Sequence, residues 1–170
     1  MEELIDIYDE NRTLTGEVLP RKTKLPKGKY MLYVIALIRN PEGKILVTRR
    51  SLDKKWAAGS WEIPGGGAHK GETSFDAVKR EVAEETGIHI EEEKSKVIYS
   101  YRNDDEHGDN YFTDIYMCDA EFGIEDVTIQ ETEVIDVKLV APVEIDGLHE
   151  SDGFLHYERI RTAMEKSCCK

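Results

Sequence analysis

The stretch Gly66–Ile88, GGAHKGETSFDAVKREVAEETGI, constrains the fold more than any other part of the chain. Glycines open it, and Thr73 or Ser74 stands where a helix N-cap is needed. Phe75, Ala77, Val78 and Val82 then supply one apolar face, and Gly87 provides a left-handed stop. The predicted unit is a glycine loop feeding a helix whose last turns carry Glu81, Glu84 and Glu85. Helical geometry puts Glu81 and Glu85 on one face with Glu84 beside them.

That end of a helix is a poor place for negative charge. Each carboxylate there opposes the macrodipole at about 0.3–1 kcal/mol, and like charges four apart cost a further ~0.2–0.5 kcal/mol. Arg80 and Lys79 relieve part of this. A divalent cation would relieve more, and oxygen-only ligands favour Mg²⁺ or Mn²⁺, which also bind substrate phosphates. Three glutamates alone would be an ordinary solvated face. The spacing sets them apart: Gly66, then Glu72, then the run Arg80-Glu81-Val82-Ala83-Glu84-Glu85-Thr86-Gly87.

With those positions filled, Gly66–Ile88 resembles a complete Nudix box, and Trp61–Gly66 resembles the strand and loop that precede it. The resemblance extends over about Tyr30–Val140. Ile5–Arg21 and Gln130–Ile145 also resemble a bacterial Nudix subgroup related to isopentenyl-diphosphate isomerase. The likeness implies an α/β fold, an α/β/α sandwich around a mixed sheet. It implies a metal-dependent pyrophosphohydrolase that cleaves the diphosphate of a nucleoside diphosphate linked to another moiety. By position, Glu81, Glu84, Glu85 and the Gly65 carbonyl would hold Mg²⁺ or Mn²⁺. Arg80 would orient the glutamates, and Glu72 would tie loop to helix or hold a metal-bound water. Glu133, just before a later strand, is the candidate general base, with a solvated turn charge as its plain alternative. Where the family often has Trp in that strand, this chain has Leu139, so no aromatic stack is expected there.

The rest of the chain reads as strands around that helix. Leu4–Tyr8 and Thr13–Leu19 form a short strand pair, and Pro20–Gly28 a basic arm that folds on the domain or reaches a partner. Tyr30–Arg39 and Lys44–Arg50 read as a buried hairpin turned at Asn40–Gly43. Ser51–Ser60 is a polar loop, Trp61–Ile63 a short strand running into the glycines, and Glu91–Lys94 a solvated turn. Lys96–Tyr101 and Tyr111–Phe122 form a second hairpin around an exposed acidic loop, Asn103–Asn110. Val134–Val140 is a further strand, Pro142 begins a turn, and His156–Lys166 is a helix packed on the sheet. The expected organisation is one domain over 1–170: strand pair and arm in 1–29, catalytic core with its C-terminal helix in 30–166, and a tail in 167–170.

Specificity is sparsely written. Arg39, Lys44, Arg49, Arg50 and Arg102 are cations available to a diphosphate, and alternation allows only one of Arg49 and Arg50 to face the site. Tyr99, Tyr101 and Tyr111 are candidates for stacking on a base or for sheet packing. His69 lies at a variable position of the box loop, and His89, His107, His149 and His156 read as surface or packing residues without metal spacing.

The formal charge of −12 argues against nucleic-acid binding but not against a small diphosphate substrate screened by a cation. Cys118, Cys168 and Cys169 show no zinc spacing and no disulfide framework, which suits a reducing compartment. The start MEELIDIYDE lacks the basic and apolar regions of a signal peptide, and no run is long enough to span a membrane, so the expected location is cytoplasmic. A homodimer is compatible with the resemblance and the arm.

Two other readings stand beside the hydrolase. One is a prenyl-diphosphate isomerase-like enzyme, which needs a cysteine and a glutamate across the alkene and a His-rich metal site. The first half of this chain has no cysteine. The other is a catalytically silent nucleotide-sensing Nudix module, which typically loses box glutamates that this chain keeps.

Overall fold

The computed structural model describes residues 2–168. Strands β1 (Leu4–Tyr8) and β2 (Leu14–Pro20) form an antiparallel pair of their own, apart from a seven-stranded mixed sheet. Strand β3 (Met31–Arg39) is the axis of that sheet, apolar along nearly its whole length because it is covered on both faces. Strand β4 (Ile45–Arg50) follows the turn at Asn40, whose side chain accepts from the Glu42 and Lys44 amides at 3.1 and 2.9 Å.

The hairpin read from this region is only partly realised. Strands β3 and β4 pair antiparallel at the single rung Arg39↔Ile45 and then take different partners. On β3 the new neighbour is β6 (Gly65–Gly67), antiparallel from Tyr33↔Gly67 to Ile35↔Gly65. On β4 they are β5 (Trp61–Glu62) and β9 (Val134–Val140). The glycine run, expected as loop, is therefore a strand. Its reason is room: a Cβ on Gly65 would lie 2.1 Å from the Val34 carbonyl oxygen. The other edge of β3 pairs in parallel with β8 (Tyr111–Asp119), which pairs antiparallel with β7 (Ser95–Asn103).

Helix α1 (Ser74–Thr86) starts at Thr73, which forms a capping box with Asp76, and ends at Gly87 at φ 72°. It presses Ala77, Val78 and Val82 onto Leu32, Val34, Ala36 and Ile38, the even-numbered face of β3. Each valine so buried contributes about 1.5–3 kcal/mol. The odd-numbered face carries Ile35 and Leu37 and is covered by α2 (Glu144–Asp152) and α3 (Tyr157–Cys168) through Ile145, Ile160 and Ala163. These layers make the α/β/α sandwich.

Helix α2 was not foreseen: only Ile145 is fully buried on it, and Gly147 and four acidic residues dilute its pattern. Helix α3 begins one residue later than expected, because His156 sits at φ 58° before it. It continues through Cys168, so Ser167 and Cys168 belong to the helix rather than to a tail, while Cys169 and Lys170 lie outside the described residues. The basic arm folds onto its own chain. Leu25 is buried with Ile5, Ile7 and Met31, and its backbone bonds to Gly108 and to the Asn110 side chain. Asn110, read as the end of an exposed loop, is correspondingly buried. Among the described residues no helix is long and apolar enough to cross a membrane.

Candidate active site

Because β3 and β4 part after one rung, a cleft of about 550 Å³ opens where their ends diverge. One side is β3 and β6, the other is the end of β4 with β5, and the last turns of α1 form the floor. Six carboxylates line it: Glu3, Glu62, Glu81, Glu84, Glu85 and Glu133. Four cations accompany them, Arg21, Arg50, Lys54 and Arg80. Of the residues foreseen for the site, Gly65, Glu81, Glu84, Glu85, Arg80 and Glu133 all reach this cleft.

Arg80 organises the floor. Its Nε and Nη2 donate to the two Glu72 oxygens at 2.7 and 2.9 Å. Its Nη1 donates to Glu81 at 2.8 Å and to Glu84 at 3.3 Å, and Nη2 also reaches the Gly67 carbonyl at 3.0 Å. The guanidinium fork thus joins loop, helix and two carboxylates at once. Glu72 stands behind Arg80 and also accepts from the His69 amide at 2.8 Å, which ties the loop to the helix. Its pKa is lowered, chiefly by the hydrogen bond from Arg80.

Glu81 is nearly buried against Gly66, where a Cβ would come within 2.4 Å of its carboxylate. A side chain at 66 would displace that carboxylate, so glycine leaves Glu81 its place. Strand alternation turns the Gly65 N–H and C=O away from β3, and that N–H donates to Glu85 at 3.3 Å. Glu85 shows an edge to the cleft but is otherwise ringed by protein. Burial, followed by the charges of Glu62 and Glu81, pushes its pKa up to about 8, against a smaller opposing pull from the Gly65 N–H. Glu62 is also raised by burial, offset by Arg50, which donates to it at 2.9 Å.

Sequence reasoning missed Glu62, Lys54, Trp56 and His156. The signal for Glu62 was there: it is a lone acid between buried Trp61 and Ile63. Lys54 pairs with Glu133 across the cleft mouth, joining the Ser51–Ser60 loop to the segment before β9. His156, read as surface or packing, lines the cleft, and burial followed by Arg50 lowers its pKa. Of the five cations considered for substrate, only Arg50 lines the cleft. Arg39, Lys44, Arg49 and Arg102 pair instead with Asp119, Glu42, Asp152 and Asp104. Tyr99 and Tyr101 stack on each other under Lys166 and Arg159 of α3, on the packing side of their alternatives. Leu139 packs against the α1-side core.

Among the described residues, no three His, Cys, Asp or Glu side chains already converge as a metal site, since Glu81 and Glu84 turn onto Arg80. The donor set nevertheless suits a hard divalent cation: all oxygen, crowded, and strained enough to hold Glu85 protonated near neutrality.

Known proteins share this architecture. The NUDIX domain profile matches residues 29–161. An uncharacterized Nudix hydrolase of Listeria monocytogenes is 35% identical over 153 residues, covering 89% of this chain and 88% of that protein. The isopentenyl-diphosphate Delta-isomerase of Kocuria rhizophila is 28% identical over 153 residues, covering 88% and 83%. A crystal structure from Deinococcus radiodurans superposes with a TM-score of 0.68 at 18% identity, covering 89% of this chain and 92% of that one, a likeness of fold. The chain belongs to the Nudix hydrolase family.

Proposed function

We propose that this enzyme is a pyrophosphohydrolase that cleaves the diphosphate of a nucleoside diphosphate linked to another moiety, with Mg²⁺ or Mn²⁺. The observation that carries this reading is the imbalance of the cleft, six carboxylates against four cations, one carboxylate having a pKa of about 8. Such a cleft repels a diphosphate unless a cation enters with it. Glu81, Glu84, Glu85 and the Gly65 carbonyl are the residues to hold it, with Glu62 adjoining. When bound, the cation neutralises the phosphate oxygens and stabilises the charge that develops on them.

The chain's own groups do the rest. Arg80 fixes Glu81 and Glu84 through a fork that is itself held by Glu72. Arg50, held to Glu62 through Nη1, stands in the cleft wall as a cation for a phosphate oxygen. Glu133, at the cleft mouth, accepts the proton of the attacking water. The water oxygen bonds to phosphorus, the anhydride P–O bond breaks, and the leaving phosphate carries the electron pair away.

The test is a panel of nucleotide sugars, dinucleotides, nucleoside triphosphates and prenyl diphosphates incubated with the protein and either metal, following phosphate or nucleotide release. No turnover of any member by folded protein would sink the reading. On the best substrate, Gly66→Ala is expected to lower kcat/KM by about 10²-fold with the fold intact, because Glu81, a flexible side chain, must swing off its place. Unchanged kcat/KM together with an unchanged melting curve would show that Glu81 needs no fixed position.

The Kocuria similarity keeps an isomerase in view. The structure offers it little, since Cys118 is buried in the α1-side core and burial lifts its thiol to about 11. Mass-neutral conversion of isopentenyl diphosphate would revive it.

A further inference from the structure

Each carboxylate of the cleft has its own partner, and the partner of Glu133 is the unusual one. Glu62 takes Arg50, Glu81 and Glu84 take Arg80, and Glu3 takes Arg21. Glu85 accepts from the Gly65 N–H. Glu133 is bonded through Oε2 to the Lys54 ammonium, a group from another loop, and among the described residues its Oε1 carries no hydrogen bond.

Strand pairing explains how residues 79 positions apart come to meet. Strands β4 and β9 run antiparallel to the rung Arg50↔Val134, so the chain leaving β4 and the chain entering β9 emerge side by side. The Ser51 amide donates to the Glu133 carbonyl at 2.9 Å. The loop then turns, the Lys54 amide donating back to the Ser51 carbonyl at 3.3 Å, and the lysine side chain returns to Glu133. The other flank is fixed too. The Glu133 amide donates to the Gln130 carbonyl at 2.8 Å, and the Thr128 amide to the carbonyl of Thr86, the last residue of α1, at 2.9 Å. The backbone of Glu133 is thus located from both sides, and its carboxylate is located by Lys54.

The loop depends on the same contact. Among the described residues, no backbone–backbone hydrogen bond of residues 52–58 leaves the Ser51–Ser60 loop. Leu52 and Trp56 are exposed, and the Trp56 indole touches the cleft wall only at its edge, beneath Arg50 at 5.9 Å. Ordering a lysine costs side-chain entropy, and a half-exposed ion pair returns little of it, so stability is a weak reason for the pair. The division of the carboxylate is a better one: one oxygen is held and the other is left free, as a base that takes a proton from water requires. We propose that Lys54 is a positioning residue for Glu133, holding Oε2 so that Oε1 is free for the attacking water and keeping the Ser51–Ser60 loop closed on the segment before β9. This rests on the reading of Glu133 as the general base.

Hydrogen exchange on the metal-free full chain tests the tie without turnover. Lys54→Glu sets two carboxylates against each other and should speed exchange in both 51–60 and 128–134 by about two- to fivefold. Adding Glu133→Lys reverses the pair and should return both segments to within about twofold of the parent. Kinetics on the best substrate of the panel test the role. Lys54→Met should lower kcat by about tenfold while KM changes less than about twofold, and Lys54→Arg should recover at least about half of the lost kcat. Parent-like exchange in Lys54→Glu, no recovery in the swapped pair, or a raised KM with unchanged kcat in Lys54→Met would overturn the proposal; the last result would make Lys54 a substrate contact instead. Absence of turnover by the parent, with the swapped pair still restoring protection, would count against the hydrolase reading and leave the tie between Lys54 and Glu133 supported.

Discussion

Glu85→Gln is expected to lower turnover by about 10³-fold and to raise the melting temperature of the metal-free protein by roughly 3–8 °C at pH near 8.5. The amide keeps the shape of the side chain and still accepts from the Gly65 N–H, so packing is preserved. What it loses is a charge that the fold resists. The carboxyl pKa stands at about 8 in the folded chain against an ordinary 4.5, so between those values the folded state holds a proton that the unfolded chain has released. Stability is therefore fully present below about 4.5 and falls as pH rises through 8, by up to about 1.4 kcal/mol for each pH unit crossed between the two values. Coupling to Glu62 and Glu81 spreads that strain over three groups, which leaves on the order of 1–2 kcal/mol to be recovered by the amide. Metal-free melting curves at pH 5 and 8.5 check this. The variant and the parent should coincide at the lower pH and separate at the higher. Turnover above a tenth of the parent's, or a lower melting temperature at both values, would remove Glu85 from the role assigned to it.

Arg80→Ala should have the opposite effect on the fold and a similar one on activity. The side chain is 19% exposed and serves Glu72, Glu81, Glu84 and the Gly67 carbonyl. Its loss leaves three carboxylates uncompensated and cuts the glycine loop from the helix. Breaking a buried pair costs about 3–5 kcal/mol, and partial exposure brings this to roughly 2–3 kcal/mol, a fall of about 5–10 °C in melting temperature. Catalysis should drop by about 10²-fold or more as the glutamates lose their frame. Added Mg²⁺ should restore part of the thermal loss, since it repels none of the freed carboxylates. Arg80→Lys keeps the charge without the planar fork and should fall between the two. A parent-like melting curve for Arg80→Ala would mean that the loop is held by other contacts.

What could be read directly was local in sequence. Thr73 and Gly87 determine the ends of α1 over a few residues, so cap and stop stand where they were expected. What could not be read depends on segments far apart in the chain. Arg50, Glu62 and His156 share a wall because β3 and β4 separate at Arg39↔Ile45, and no period in either strand announces that divergence. The glycines at 65–67 carry the composition of a loop. Pairing with β3 makes them a strand, and at Gly65 the neighbouring backbone is too close for a side chain. Helix α2 escaped for the reverse reason: its burial rests on little more than Ile145, too little for a pattern.

The N-terminal strand pair also bears on the shape of the cleft. Leu4 O accepts from the Lys70 amide at 2.8 Å, and Asp6 accepts from the Gly71 amide at 2.7 Å. Glu3 and Arg21, bonded to each other at 2.7 Å, look into the cleft. The NUDIX match starts at residue 29, after all of them. A fragment trimmed to the matched region would retain every box glutamate yet lose the clasp on the box loop and one bank of its cleft. For this chain the segment that the family profile matches is narrower than the span of residues that line the cleft.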